Sequence, residues 1–284
     1  MLFKNQYYYF VAGLPDFEFD SMKLPFTVEE FREMLNDVLK SSDKKLLDNY
    51  FLIRDNDNLL HFLKNKEANF ELLGKLTPED IANTVSKVKE NIPIKEKSIP
   101  PYFEDYIKRW LGEENPHEGG KLWEDLLTSL YMDYGMQVKN TLMSGWFELN
   151  LNIGNILTAI YARKYQLPVA KFIVGNNRVA KIIRENANAR DFGLSLELEY
   201  FDALQRISEE EDIYERERRI DKFRWEWLED NTVFDYFNVE YIFAYLCKLQ
   251  ILERWVSLNA EEGEQIFRDL INNLKNETKI PDKY

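Results

Sequence analysis

The stretch Gly145–Tyr165, GWFELNLNIGNILTAIYARKY, constrains this chain more than any other. Ile153, Ile156, Leu157, Ile160 and Tyr161 recur at i, i+3, i+4, i+7 and i+8, and Asn152, Asn155, Ala159, Ala162 and Arg163 fall on the other side. That period predicts a core helix with one apolar face and a second face that is small and polar.

A weaker copy lies upstream. Asp55-Asn56-Asp57-Asn58-Leu59-Leu60 leads to Lys66 as Asn152-Ile153-Gly154-Asn155-Ile156-Leu157 leads to Arg163, and an offset of 97 residues relates 58 to 155 and 66 to 163. A third candidate, Glu240-Tyr241-Ile242 running to Lys248, lies 85 residues further on. Each pairs a polar residue before an apolar run with a cation eight positions later. Three copies predict a threefold repetitive helical protein; chance likeness between amphipathic helices is the alternative. The corresponding division is 1–100, 101–208 and 209–284, each a helical repeat, which can also pack as one continuous domain.

The rest of the chain also reads as predominantly α, an all-α fold class. Tyr7–Leu14 is a short strand or a helix start, and Gly13-Leu14-Pro15-Asp16 turns the chain. Thr27 with Glu30 predicts a capping box ahead of Val28, Phe31, Leu35 and Val38, Ser41 or Ser42 caps the next helix, and Thr77-Pro78 starts a third. Three prolines between Asn91 and Pro101 bar a helix and mark a boundary. Tyr102–Leu111 is a short helix, 112–120 a surface loop, and Leu122–Met143 one long apolar helix. Pro168 and Asn176 start further helices; Leu194–Leu198 alternates like a strand, though Glu197–Ile207 favours a helix. Glu209–Asp212 followed by Arg216, Arg218 and Arg219 predicts a solvated, charge-laced helix with its acids at the N-terminal end. Trp225 and Trp227 point to the interior, Phe234–Trp255 reads as an enclosed helix, and Glu264–Leu274 as an amphipathic last one.

With 284 residues, 45% of them hydrophobic, the chain can bury a sizeable core. A net charge of −13 argues against nucleic acid as a partner, because phosphate binding draws on clustered Lys and Arg. Cys247, the only cysteine, stands in an apolar run, which predicts a buried thiol in a reducing compartment. The N-terminal apolar run is too short and too aromatic for a secretion signal, and no run reaches the ~20 apolar residues of a membrane span. A cytoplasmic protein without direct membrane insertion is expected.

The search for chemistry returns decoys. His61 and His117 are too few for a zinc site, and no His-Glu-x-x-His or paired-cysteine spacing occurs. Gly119-Gly120-Lys121 resembles the end of a phosphate loop, but Glu114 stands where the motif needs glycine and Leu122 where it needs Ser or Thr. Asp191-Phe192-Gly193, with Val169-Ala170-Lys171 upstream, mimics two kinase elements without a glycine-rich loop or a His-Arg-Asp loop. Gly193 is better read as a helix C-terminal residue, with Arg190 and Asp191 in a local ion pair. Pairs such as Glu226 with Glu229 or Asp230 carry little information among 50 acidic residues. No catalytic, cofactor-binding or metal residue is nominated, so a non-enzyme without cofactors is expected.

Tyr7–Pro15, Trp146–Tyr165, Ala189–Leu194 and the region Trp225–Trp255, with Asp230-Asn231-Thr232 and Glu253-Arg254-Trp255, together resemble a domain-of-unknown-function family. That family is encoded among the genes of bacterial V-type (A/V-type) ATPases. It is similar in size and helical character to the C component of their central rotor, called d in eukaryotes. The resemblance implies three related helical wedges around a funnel. It also implies a non-catalytic central-rotor adapter that seats the central-stalk proteins D and F, rests on the membrane proteolipid ring, and is thereby peripheral on the inner membrane. Glu240, where the other copies carry Asn, departs from the repeat. The alternative expectation is a helical enzyme or small-ligand-binding module with a carboxylate and aromatic pocket near Arg224, Glu226 and Trp227.

Overall fold

The structure, a computed structural model, describes residues 7–65, 74–112, 122–258 and 271. Among the described residues there are twelve helices and no strand. They are α1 (Tyr8–Ala12), α2 (Val28–Val38), α3 (Ser41–Asn65), α4 (Pro78–Lys89), α5 (Pro101–Leu111), α6 (Trp123–Gly135), α7 (Thr141–Lys164), α8 (Val169–Phe172), α9 (Arg178–Glu185), α10 (Phe201–Ser208), α11 (Ile213–Asn231) and α12 (Val239–Ser257). The chain forms two compact units, Lys45–Gln205 and a second made from both ends, Met1–Lys44 with Arg206–Tyr284.

Local chemistry places most of the starts. Thr27 and Thr77 accept the N–H of Glu30 and Asp80, and each acid returns to the threonine N–H, so two helices begin on complete capping boxes. Asp212, Asn140, Asn177 and Asn238 cap α11, α7, α9 and α12 with side-chain oxygens. The expected single helix Leu122–Met143 is two: α6 stops at Gly135, and Asn140 starts α7 afresh. A Cβ on Gly135 would lie 2.3 Å from the Phe147 ring, so glycine lets the two helices approach. The cap of α9 is Asn177, one residue beyond the expected Asn176. Residues 191–200 are mainly turns, with neither the strand nor a helix start at Glu197. Phe234–Phe237 precedes α12 instead of belonging to it. The expected helix Glu264–Leu274 and the cation Lys66 lie outside the described residues, apart from Ile271.

The middle unit is held by polar residues inside its two longest helices. Asp55 in α3 is fully buried, and its carboxylate accepts the N–H groups of Lys75 (3.0 Å) and Leu76 (2.8 Å) just before the α4 cap. Asn155 in α7 is equally buried; its carboxamide accepts the Val174 N–H and donates to the Val174 carbonyl, each at 2.8 Å, just before the α9 cap. Thr77 follows Asp55 by 22 residues, and Asn177 follows Asn155 by 22. An offset of 100 residues relates Asp55 to Asn155 and Thr77 to Asn177, three more than the 97 that relates 58 to 155. Burial agrees, since 47, 51, 52, 55, 56 and 59 are all buried and so are 147, 151, 152, 155, 156 and 159. Around α3 to α6, Leu59, Ile81, Phe103, Tyr106, Ile107 and Phe147 anchor the apolar core.

The unit built from the chain ends is organised by aromatic rings. Phe31 of α2 stacks on Phe26 (5.5 Å between centroids) and Phe10 (6.0 Å) and meets Tyr245 of α12 at 5.1 Å. Tyr245 continues to Phe17, and Phe17 to Trp225 of α11. Glu253 of α12 accepts the N–H of Val28, the first residue of α2, at 3.0 Å. Tyr7 is buried, donates to Asp43 at 2.6 Å and sends its N–H to the Phe237 carbonyl. Burial first, and the Asp43 hydrogen bond second, push its hydroxyl up to about 12 from 10.0.

Two outcomes follow. A Cβ at Gly74 would fall 2.0 Å from the Asp55 carboxylate. Gly74→Ala should lower stability by about 1–3 kcal/mol and Asp55→Ala by about 2–4 kcal/mol through two stranded N–H groups. In the double variant the alanine at 74 should add less than about 1 kcal/mol, because the atom it strikes is gone; denaturant unfolding of the four proteins reads this cycle. For Tyr7, the folded state holds the proton more tightly than the unfolded chain, so its contribution is complete below pH 10 and is lost as pH rises from 10 to about 12. The loss is at most about 2–3 kcal/mol, and Tyr7→Phe should flatten that part of the alkaline stability curve while costing about 1 kcal/mol at neutral pH.

Candidate functional site

The kinase-like triplet is a structural turn. Asp191 accepts the N–H of Gly193 (3.0 Å) and of Ser195 (3.3 Å), and these bonds, the Ser195 side chain foremost, hold its carboxyl down at about 2. Phe192 and Gly193 both adopt positive φ, 54° and 74°, so Gly193 serves a tight turn and not a helix end. Arg163 of α7 lies 3.6 Å over the Phe192 ring and donates to the carbonyls of Ala187, Ala189 and Arg190. The guanidinium that marks the central sequence motif thus fastens a loop, and its partial burial lowers its pKa. Lys171 is exposed at the end of α8.

His61 is exposed and shares a hydrogen bond with Asn65 at 3.2 Å, and Cys247 is 1% exposed inside α12. His117 and Gly119-Gly120-Lys121 lie outside the described residues. No group of His, Cys, Asp and Glu that could hold a metal ion occurs among the described residues.

The richest convergence of polar and aromatic groups is on α11 and α12. Asp221, 1% exposed, accepts from Trp255 Nε1 (2.9 Å) and Arg224 Nη1 (2.7 Å), with Arg254 Nη1 3.5 Å away. Arg254 also pairs with Glu217 at 3.1 Å. Two turns on, Glu229 accepts from both Trp225 Nε1 and Lys248 Nζ at 2.9 Å, and Lys248 lies 5.0 Å over the Trp225 ring. Sequence reasoning singled out Arg224, Glu226 and Trp227 but missed Asp221, the acid at the centre. Arg224 is turned to Asp221, whereas Glu226 is exposed beside Lys222 at 4.0 Å. A cleft does lie nearby, lined by Phe19, Asp20, Met22, Tyr214, Arg218 and Trp255, none of them the nominated three. It holds about 70 Å³, well under the ~300–1,000 Å³ of small-molecule sites. Arg218 in its wall is already paired with Asp20 and lies over the Phe19 ring.

These features define an all-helical protein in which the buried Asp55, Asn56, Asn152, Asn155 and Asp221 fasten one element to the next. Residues 4–278 match the family model described as "Protein of unknown function (DUF2764)", and the chain belongs to that family. No curated protein and no solved structure matches it.

Removing the Asp221 charge tests the hub. Asp221→Asn should lower stability by about 2 kcal/mol, because Arg224 and Arg254 lose a buried counter-charge, and should change the near-ultraviolet circular dichroism of Trp255. Glu226→Gln, on the exposed side of the same helix, should change neither by more than about 0.5 kcal/mol.

Proposed function

We propose that this chain is a non-catalytic central-rotor adapter of a V-type ATPase or ATP synthase, coupling the central stalk, proteins D and F, to the membrane proteolipid ring. The observation that carries this reading is the recurrence of one device. A polar side chain of a long helix takes the backbone N–H at the approach to a shorter one: Asp55 for α4, Asn155 for α9 and Glu253 for α2. Two of the three share the 22-residue spacing to the next cap. A part assembled from three related helical wedges needs such a recurrence, and the C component of these rotors, which the sequence resembles, is such a part.

A spacer that passes torque needs stiffness and no bond-making groups. The described buried carboxylates and amides are fastened internally, which supplies the first and leaves little for the second. No described helix is long and apolar enough to cross a membrane, so attachment would be through the complex, on the cytoplasmic face of the inner membrane. The alternative, a helical enzyme or ligand-binding module around Arg224, Glu226 and Trp227, has less support, because these three do not line the nearby cleft.

Deleting the gene should leave ATP hydrolysis by the catalytic head intact and abolish ATP-driven ion transport in membrane vesicles. The tagged chain should co-purify from detergent-solubilised membranes with the stalk and ring proteins. Coupled transport that persists in the deletion strain would overturn the proposal.

A further inference from the structure

One surface of the unit built from the chain ends is apolar where a soluble protein has most reason to be polar. Tyr9 is 91% exposed, Phe234 90% and Tyr236 61%, joined by Tyr8 and Val233 at about half exposure. Four rings are contiguous, since Tyr8 meets Tyr9 edge-on at 5.5 Å and Phe237 at 4.7 Å, and Phe237 meets Tyr236 at 6.4 Å; Phe234 stands in the same loop, two residues before Tyr236. The loop that carries Phe234 and Tyr236 is built, with Thr232 Oγ1 donating to the Leu228 carbonyl, Asp235 N–H to the Thr232 carbonyl, and Asn238 Nδ2 to Asp235. Tyr7 ties α1 to it through the Phe237 carbonyl. Aromatic residues held outward on a fastened loop mark a contact surface, since nothing in the local bonding requires them there.

Charge says what the contact is. The two segments that make the surface, residues 7–22 and 228–247, contain Asp16, Glu18, Asp20, Glu229, Asp230, Asp235 and Glu240 and no Lys or Arg; Asp20 is paired with Arg218 and Glu229 with Lys248, which leaves an acidic excess that includes Asp16, Glu18 and Asp230. Exposed tyrosine and phenylalanine faces attract cations, and carboxylates at the rim add to that attraction. An anionic membrane or nucleic acid would be repelled. A second copy packed isologously would bring the same carboxylates against one another.

We infer that this aromatic, carboxylate-rimmed surface docks a basic amphipathic segment of another protein, apolar side chains on the rings and Lys or Arg toward the acids. It extends the adapter reading by giving one docking face its chemistry, and it rests on that reading only for the partner's membership of the ATPase.

The test titrates the full chain with a fluorescent amphipathic helical peptide of leucine and arginine at physiological salt, following anisotropy. Controls replace the arginines by glutamates or scramble the order so that no apolar face forms. Phe234→Ser/Tyr236→Ser should weaken binding at least tenfold, and Asp230→Asn measurably, with unchanged thermal unfolding, since these three side chains are exposed and do not build the core. Neither control peptide should bind. Absence of binding, or equal binding by the serine variant, which would mean unspecific attraction to net charge, overturns the inference; so does dimerisation, or adsorption to phosphatidylserine vesicles, that the serine variant abolishes. A chain that fails here yet co-purifies with stalk and ring proteins loses this surface and keeps the adapter role. The converse result keeps the surface and removes the ATPase.

Discussion

The middle unit depends on buried acceptors that reach across from one helix to the backbone ahead of another. A helix end leaves four N–H groups without intrahelical partners, and the loop leading into it adds more. Inside a protein each such group costs about 1–3 kcal/mol if nothing accepts it. Asp55 and Asn155 answer this from within α3 and α7, the two longest of the described helices. The solution fixes distance and orientation together, because two N–H groups bound by one carboxylate, or an N–H and a carbonyl bound by one carboxamide, admit little rotation. The close fit of Gly74 to the Asp55 carboxylate is its steric counterpart.

The end-derived unit reaches rigidity by a different route. A run of rings from Phe10 through Phe31, Tyr245 and Phe17 to Trp225 crosses four helices and loops, and each contact is edge-on, tilted or stacked at 4.9–6.0 Å. Around it, ionic groups are spent in pairs that also hold rings, as with Asp221 and Trp255 or Glu229 and Trp225. A side chain that both neutralises a charge and positions an indole is poorly placed for acid–base work. In this physical sense Asp221 and Glu229 are structural residues.

Helices were legible in the sequence where their ends carry chemistry. The capping box of Thr27 and the start at Thr77 lie where the residues said they would, whereas the helix read from Glu209 begins at Ile213, with Asp212 as its cap. The break between α6 and α7 was hidden because both sides are apolar, so the periodicity runs on while the chain turns at residues 136–140. Residues 233–237 were misread for the same reason, since an aromatic run carries the signature of a core whether it is covered by this chain or left for another. The 97-residue offset rests on matched letters, whereas the shared hydrogen-bonding device relates positions 100 residues apart. Aspartate and asparagine do one acceptor's job at 55 and 155, and that equivalence is visible only once their partners are known.

The register bears on the repeat itself. Amphipathic helices placed at random share a burial period, so coincident burial at 47, 51, 52 and 55 with 147, 151, 152 and 155 is weak by itself. What a shared helical period does not supply is the same interval from the accepting residue to the following cap, together with the same use of that residue. Asp55 with Thr77 and Asn155 with Asn177 meet both conditions. Glu253 meets the second alone, because its target α2 lies in the N-terminal segment, 225 positions earlier in the chain. If the three are related, the third must close through the two ends of the chain, and the compact unit formed by Met1–Lys44 with Arg206–Tyr284 is what such closure requires.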